Sequence, residues 1–187
     1  MGPALSGLVR NALGSLAVLG AVAVIAFGFP LLDSSIPASR PVVADAPYHV
    51  GGKVTVVPPA GASLDLTRTR PSDDRGTALF LIDGVRLALV VGPYSGTLDE
   101  AASRAHAKIT NTTGFQVTGA DRMVHTDQGV SGLRGAYSSP GRLGEYAVFV
   151  FKDVSVEVTA SGPEQRLRGL LAQLDASLRS VTFEGSP

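Results

Sequence analysis

The stretch "TALFLIDGVRLALVV", Thr77–Val91, fixes how the rest of the chain must be read. Two apolar runs rich in β-formers flank Asp83-Gly84, a dipeptide that accepts positive φ at both central positions of a two-residue turn, so the segment predicts a tight hairpin. Both runs are almost continuously apolar, which predicts that one or both strands are central in a sheet. Downstream, "EYAVFVFKDVSVEVTA" (Glu145–Ala160) predicts a second hairpin with Lys152-Asp153 at its tip. Here Val154, Val156 and Val158 alternate with Ser155, Glu157 and Thr159, giving that strand one apolar and one polar face.

Shorter strands surround these hairpins. "KVTVVPP" (Lys53–Pro59) ends at its prolines, and "SLDLTRTR" (Ser63–Arg70) places Leu64 and Leu66 at the period of a half-buried strand. "FQVTG", "RMVHTD" and "GVSGLRGAYSS" continue the β-rich reading, with "SPGRLG" (Ser139–Gly144) as a turn. Two helices interrupt it. The first follows Thr97, whose hydroxyl and Glu100 form a T-x-x-E capping box; Leu98, Ala101, Ala102, Ala105 and Ile109 give it a thin apolar stripe, and Gly114 closes the element. The second begins at "SGPE", with Ser161 as the expected cap, Glu164 in the box and Pro163 in the first turn. Its stripe of Leu167, Leu170, Leu171, Leu174 and Leu178 is fuller, with Arg166, Arg168 and Asp175 outside it. The order is that of an α+β domain, an antiparallel sheet covered by two helices.

The N-terminal region is of another kind. Ala12 through Leu32 is an uncharged run of twenty-one residues, about 32 Å as a helix and so long enough to cross the ~30 Å hydrocarbon core of a bilayer. It exceeds the about 7–15 residues of a secretory signal core, and Pro47 follows the small-x-small Ala44-Asp45-Ala46. The reading is therefore a retained transmembrane helix. Residues 1–11, with Arg10, form a cytoplasmic N-terminus by the excess of positive charge on that side. Residues 33–47 hold three prolines and no period and read as a linker. The domain proper is expected over 48–183, outside the cytoplasm, with a tail at 184–187, and the localisation is the cell membrane.

Charge and motif content narrow the function classes. Sixteen basic and sixteen acidic residues cancel, which argues against nucleic acid as partner, and the absence of cysteine removes thiolate chemistry and lipid acylation. No G-x-G-x-x-G or Walker sequence occurs, so no cofactor is expected. His49, His106 and His125 have no metal-ligand spacing and read as surface or packing residues. "GPYSG" (Gly92–Gly96) has its serine one place off a nucleophile elbow and reads as a strand-to-helix turn. The glycines of "GVSGLRG" (Gly129–Gly135) read as easing a bend in a strand. Adjacent Asp99 and Glu100 point apart on a helix and are explained by capping. The chain is not expected to be an enzyme.

One cluster stands out as a partner-binding candidate. "RTRPSDDRG" gathers Arg68, Arg70, Asp73, Asp74 and Arg75 in a loop between strands, stiffened by Pro71. Charges of both signs at a loop tip can make specific contacts with a protein. Tyr94, beside the first helix, and Tyr137 are candidate aromatic anchors.

The succession of elements resembles the PsbP-like fold. The texture of "VTVVPPAGASLDLTRTR", "VVGPYSGTLDEAASRAHAKI" and "GLRGAYSS" is similar to that of small actinobacterial envelope proteins, among them the LpqN-type lipoproteins. The resemblance covers about Val50 to Phe183 and implies an accessory or binding role at the cell envelope. This chain lacks the acylated cysteine of the lipoproteins and has an apolar helix in its place. The expectation is an envelope protein that binds a membrane or envelope partner. The alternative is a carrier of an apolar lipid-like molecule in a cavity between sheet and helices.

Overall fold

The computed structural model describes residues 38–184. The candidate transmembrane helix at 12–32 lies outside them, as do residues 1–11 and most of the tail. No helix among the described residues is long and apolar enough to cross a membrane.

The strands are β1 (Ser39–Pro41), β2 (Tyr48–Gly51), β3 (Val54–Val56), β4 (Ser63–Asp65), β5 (Arg70–Pro71), β6 (Gly76–Ile82), β7 (Val85–Pro93), β8 (Gln116–His125), β9 (Ser131–Ser139), β10 (Arg142–Phe151), β11 (Val154–Gly162) and β12 (Thr182–Phe183). The helices are α1 (Leu98–Thr110), between β7 and β8, and α2 (Glu164–Arg179), between β11 and β12. Among the described residues the main sheet has the order β1-β4-β6-β7-β11-β10-β9-β8, with β5 also on β6, and β12-β3-β2 forms a second, three-stranded sheet. The pairings are antiparallel, as the sequence predicts.

Both hairpins form where expected. Ile82 faces Val85 across Asp83-Gly84, whose φ values are 47° and 78°. Phe151 faces Val154 across Lys152-Asp153. β7 and β11, one strand from each hairpin, pair along Arg86–Pro93 and form the middle of the sheet.

Alternation divides the sheet into two faces. On one, Phe80, Leu87, Leu89, Phe149, Val156 and their neighbours pack against Leu167, Leu170 and Leu174 of α2 and against Val50, Val54 and Val56 of the small sheet. On the other, Tyr137, Tyr146 and Val148 pack beneath Ala101 and Ala105 of α1. The small alanines let α1 lie close, and it covers β8, β9 and β10. The side chains of β6 and β7 on that face remain partly uncovered, and Val90 is 45% exposed.

Several local expectations are corrected. The stretch read as a linker contributes β1, which pairs with β4. "SLDLTRTR" is not one strand: the Asp65 carboxylate accepts from the amides of Thr67 and Arg68 and from the Thr67 hydroxyl, and this turn ends β4 and leaves Leu66 exposed. α1 carries the predicted capping box, with Thr97 accepting from the Glu100 amide and Glu100 from the Thr97 amide. α2 does not start as predicted. Ser161 belongs to β11, Pro163 occupies the N-cap without a side-chain bond, and Glu164 pairs with Arg168 at 2.6 Å.

Gly169 lies exposed in the interior of α2, with open space where a Cβ would stand. Gly169→Ala is expected to raise stability by about 0.5–1 kcal/mol, because it removes backbone entropy from the unfolded chain. Urea denaturation of the two proteins measures it.

Candidate functional site

The loop that carries the charged cluster is held from below. Ser72 N–H donates to the Arg75 carbonyl at 2.9 Å, closing a tight turn, and Gly52 N–H donates to the Ser72 carbonyl at 3.1 Å, tying the turn to the small sheet. β2 and β6 approach so closely that a Cβ on Gly76 would overlap the Val50 carbonyl oxygen. Further along, the Thr69 hydroxyl accepts from the Leu79 amide at 3.3 Å, tying the segment that joins β4 to β5 onto β6.

These ties distribute the candidate residues unequally. Arg70 and Arg75 line an open groove of ≈ 560 Å³ together with Thr77, Val90, Gly92 and Pro93. No acidic side chain lines it. Arg75 is paired with Asp74 at 3.2 Å, and the Arg75 guanidinium holds the Asp74 carboxyl below the usual carboxylate range. Among the described residues the Arg70 side chain donates only to its neighbour's carbonyl, that of Thr69. Arg68 and Asp73 are exposed on the loop and stand outside the groove.

Tyr94 lies in a second groove, of ≈ 540 Å³, which shares Pro93 with the first. Its amide donates to the Asp153 carbonyl at 2.8 Å and its hydroxyl to the Thr97 carbonyl at 3.1 Å, so the ring is fixed between the second hairpin and the start of α1. The Arg104 guanidinium stacks 4.9 Å from the ring centroid. The structure thus brings Arg70, Arg75 and Tyr94 to one end of β7. Tyr137 is different: it is buried beneath α1, stacked on Phe115 at 5.9 Å, and is core rather than anchor.

Two polar clusters have no precursor in the sequence reading. In the first, His106 of α1 meets Asp121 of β8 and Tyr146 of β10. His106 Nε2 lies 3.1 Å from Asp121 Oδ2 and contacts Tyr146 Oη, while the Tyr146 hydroxyl donates to Asp121 Oδ1. A bulge puts the carboxylate there: Thr118 pairs with Ala136 and Arg122 with Arg134, so residues 119–121 face the single residue Gly135. A Cβ on Gly135 would overlap both the phenol and the carboxylate, and one on Gly132 would overlap the Phe149 ring. These glycines make room for aromatic side chains. The cluster ties α1 to the sheet, and neither groove described above reaches it.

Burial raises the Tyr146 phenol well above its ordinary value, and the hydrogen bond to Asp121 raises it further. A phenol so shifted stabilises the fold fully below the unfolded tyrosine pKa of about 10 and loses that contribution as pH climbs toward the higher folded value. Stability should therefore fall between pH 9 and 11 more steeply in the native protein than in Tyr146→Phe. Urea denaturation of both across that range measures the difference.

The second cluster centres on Arg134 of β9. Its side chain, 6% exposed, forms ion pairs with Glu145 of β10 and Asp175 of α2. It fastens α2 across the sheet. Asp175, read as an outward residue, serves this internal role.

Between the sheet and α2, where Leu87, Ala147, Val158, Leu174 and Leu178 meet, the free volume is ≈ 10 Å³. That is about the room of one water, whereas small-molecule pockets run to about 300–1,000 Å³.

No protein-family model matches the chain, and no curated protein matches it in sequence. Among solved structures it is similar to cyanobacterial PsbP (CyanoP) from Synechocystis sp. PCC 6803, with 11% identity and a TM-score of 0.53 over 80% of this chain and 94% of that one. A protein from Bacteroides thetaiotaomicron aligns with 9% identity and a TM-score of 0.44 over 77% of this chain and 50% of that one. LpqN of Mycobacterium tuberculosis, a protein involved in cell envelope biogenesis, aligns with 16% identity and a TM-score of 0.41 over 79% and 86%. At 0.53 over nearly the whole of its counterpart, the first alignment carries the assignment: the domain has a PsbP-like fold.

Proposed function

We propose that this chain is an accessory protein of the cell envelope, held in the membrane by Ala12–Leu32, whose PsbP-like domain stands outside the cytoplasm and binds a partner protein. The observation that carries the binding role is the close packing between sheet and α2, with ≈ 10 Å³ free, beside open grooves of ≈ 560 and ≈ 540 Å³ at the surface: Arg70 and Arg75 line the first, and Tyr94 and Arg104 line the second together with Glu100 and Asp153. Arginine and tyrosine are the side chains that most often dominate protein interfaces. The anchor is supported by the length and uniform apolarity of the 12–32 run. The role is one of binding rather than catalysis.

Fractionation tests the placement. The full-length chain should sediment with membranes, resist extraction by carbonate, and lose its domain when protease is added to intact cells with opened walls. Recovery of the chain in the soluble fraction, or protection of the domain from external protease, would overturn it.

A further inference from the structure

The geometry points to the groove at the end of β7 as the docking surface, and to an acidic segment of the partner protein, carrying an apolar side chain, as its occupant. This rests on the partner-binding reading above.

Charge is the first argument. Arg70 and Arg75 both line the groove and no carboxylate does. Arg70 has no acidic partner within 4.0 Å among the described residues, so its guanidinium is available for a bidentate bond to a carboxylate. Arg75 keeps Asp74 as an exposed partner, a weak surface pair that an incoming carboxylate can share. The chain as a whole is neutral, so this local excess of positive charge is not a general property of its surface.

Apolar surface is the second. Val90 is 45% exposed on the floor of the groove. It belongs to the half of the sheet face that α1 leaves uncovered, since α1 lies on β8, β9 and β10. Pro93 leads on to Tyr94, whose ring is already held by its own hydrogen bond and by Arg104; that neighbouring groove also carries Glu100 and Asp153, so the acidic side chains of the occupant lie on the Arg70 and Arg75 side. A partner residue that covers Val90 and Pro93 excludes water from around the guanidiniums and strengthens their bonds to carboxylates. A second copy of this chain is a poor occupant, because a two-fold contact would set the same arginines against each other.

Contact is rigid on this side. The loop bearing Arg75 is hydrogen-bonded to Gly52, and β2 sits against Gly76 without room for a methyl group. Little order has to be gained on binding, which favours affinity.

The test uses the full-length chain in its own membranes, with photoreactive p-benzoylphenylalanine at position 90, and separately at the exposed positions 123 on β8 and 166 on α2. Crosslinks from position 90 are expected in an Asp/Glu-rich segment of one protein. Their yield should fall at least tenfold with Arg70→Glu, survive Arg70→Lys in part, and decline as salt is raised. Circular dichroism of the purified domain variants checks that they fold, which the exposure of Arg70 predicts. Crosslinks to lipid or to a second copy, or crosslinks indifferent to Arg70→Glu, would overturn the proposed occupant. A partner captured from 123 or 166 but never from 90 would overturn the site and leave the proposed function standing. No protein crosslink from any of the three positions would count against the proposed function itself.

Discussion

Arg134→Ala is expected to destabilise the domain by about 3–4 kcal/mol, among the largest losses any single side-chain truncation in this chain should produce. The arginine is almost wholly buried and serves Glu145, itself 19% exposed, and Asp175, 41% exposed. Removing the cation leaves the Glu145 carboxylate in a poorly hydrated place with no compensating charge, and it unfastens α2 from the sheet. The loss is smaller than that of a fully buried triad because Asp175 can return to water. Arg134→Lys should recover only part of it, since one ammonium cannot reproduce the fork that reaches both carboxylates. Replacing all three residues together by Met or Leu should cost much less than Arg134→Ala alone, because no charge is then stranded. Urea denaturation curves of the four proteins decide between these outcomes. Equal losses in the single and triple variants would mean that packing, and not the stranded carboxylate, sets the cost.

Gly76→Ala is expected to cost about 3 kcal/mol or more, although it adds one methyl group. The added carbon would fall on the Val50 carbonyl oxygen, a backbone atom that cannot swing aside as a side chain can. Accommodation requires β2 to separate from β6, which opens the contact between the small sheet and the main one. Overpacking by a methylene costs about 1–3 kcal/mol where side chains can yield, and more where they cannot. Gly169→Ala, with the same change of composition in open space, serves as the opposite control. Thermal or urea unfolding of the Gly76→Ala protein measures the loss, and a change below about 1 kcal/mol would show that the two sheets are not in fixed contact.

What the sequence revealed and what it hid follow from the range of the interactions. Asp83-Gly84, Lys152-Asp153 and the Thr97–Glu100 box were legible because each depends on residues within four positions of one another. The polar face of β11 was legible for the same reason, as alternation is local. Arg134 could not be assigned to the core from its neighbours in "GVSGLRG", because its partners lie 11 and 41 residues away. His106, Asp121 and Tyr146 were separated likewise, and a bulge of extra residues opposite Gly135 was needed to aim the carboxylate. A hint was present: glycines at 132 and 135 in an otherwise β-rich run signal close approach by something large. Reading them as a bend misses that space requirement. β1 is hidden in the linker because Ser39–Pro41 has no apolar pattern of its own and is made a strand by the free edge of β4. As for the candidate site, composition singled out the loop, and only the tertiary fold separates Arg70 and Arg75, which share a groove with Val90, from Arg68 and Asp73, which do not.

The proposed role requires the domain to use its surface, not its interior. Native mass spectrometry of the full-length chain, released from its own membranes in lipid nanodiscs, weighs what it carries. A stoichiometric protein companion, with the bare mass of the domain once it is cut from its anchor, is the predicted result; a lipid or other apolar molecule that stays bound to the freed domain at one per chain would contradict it.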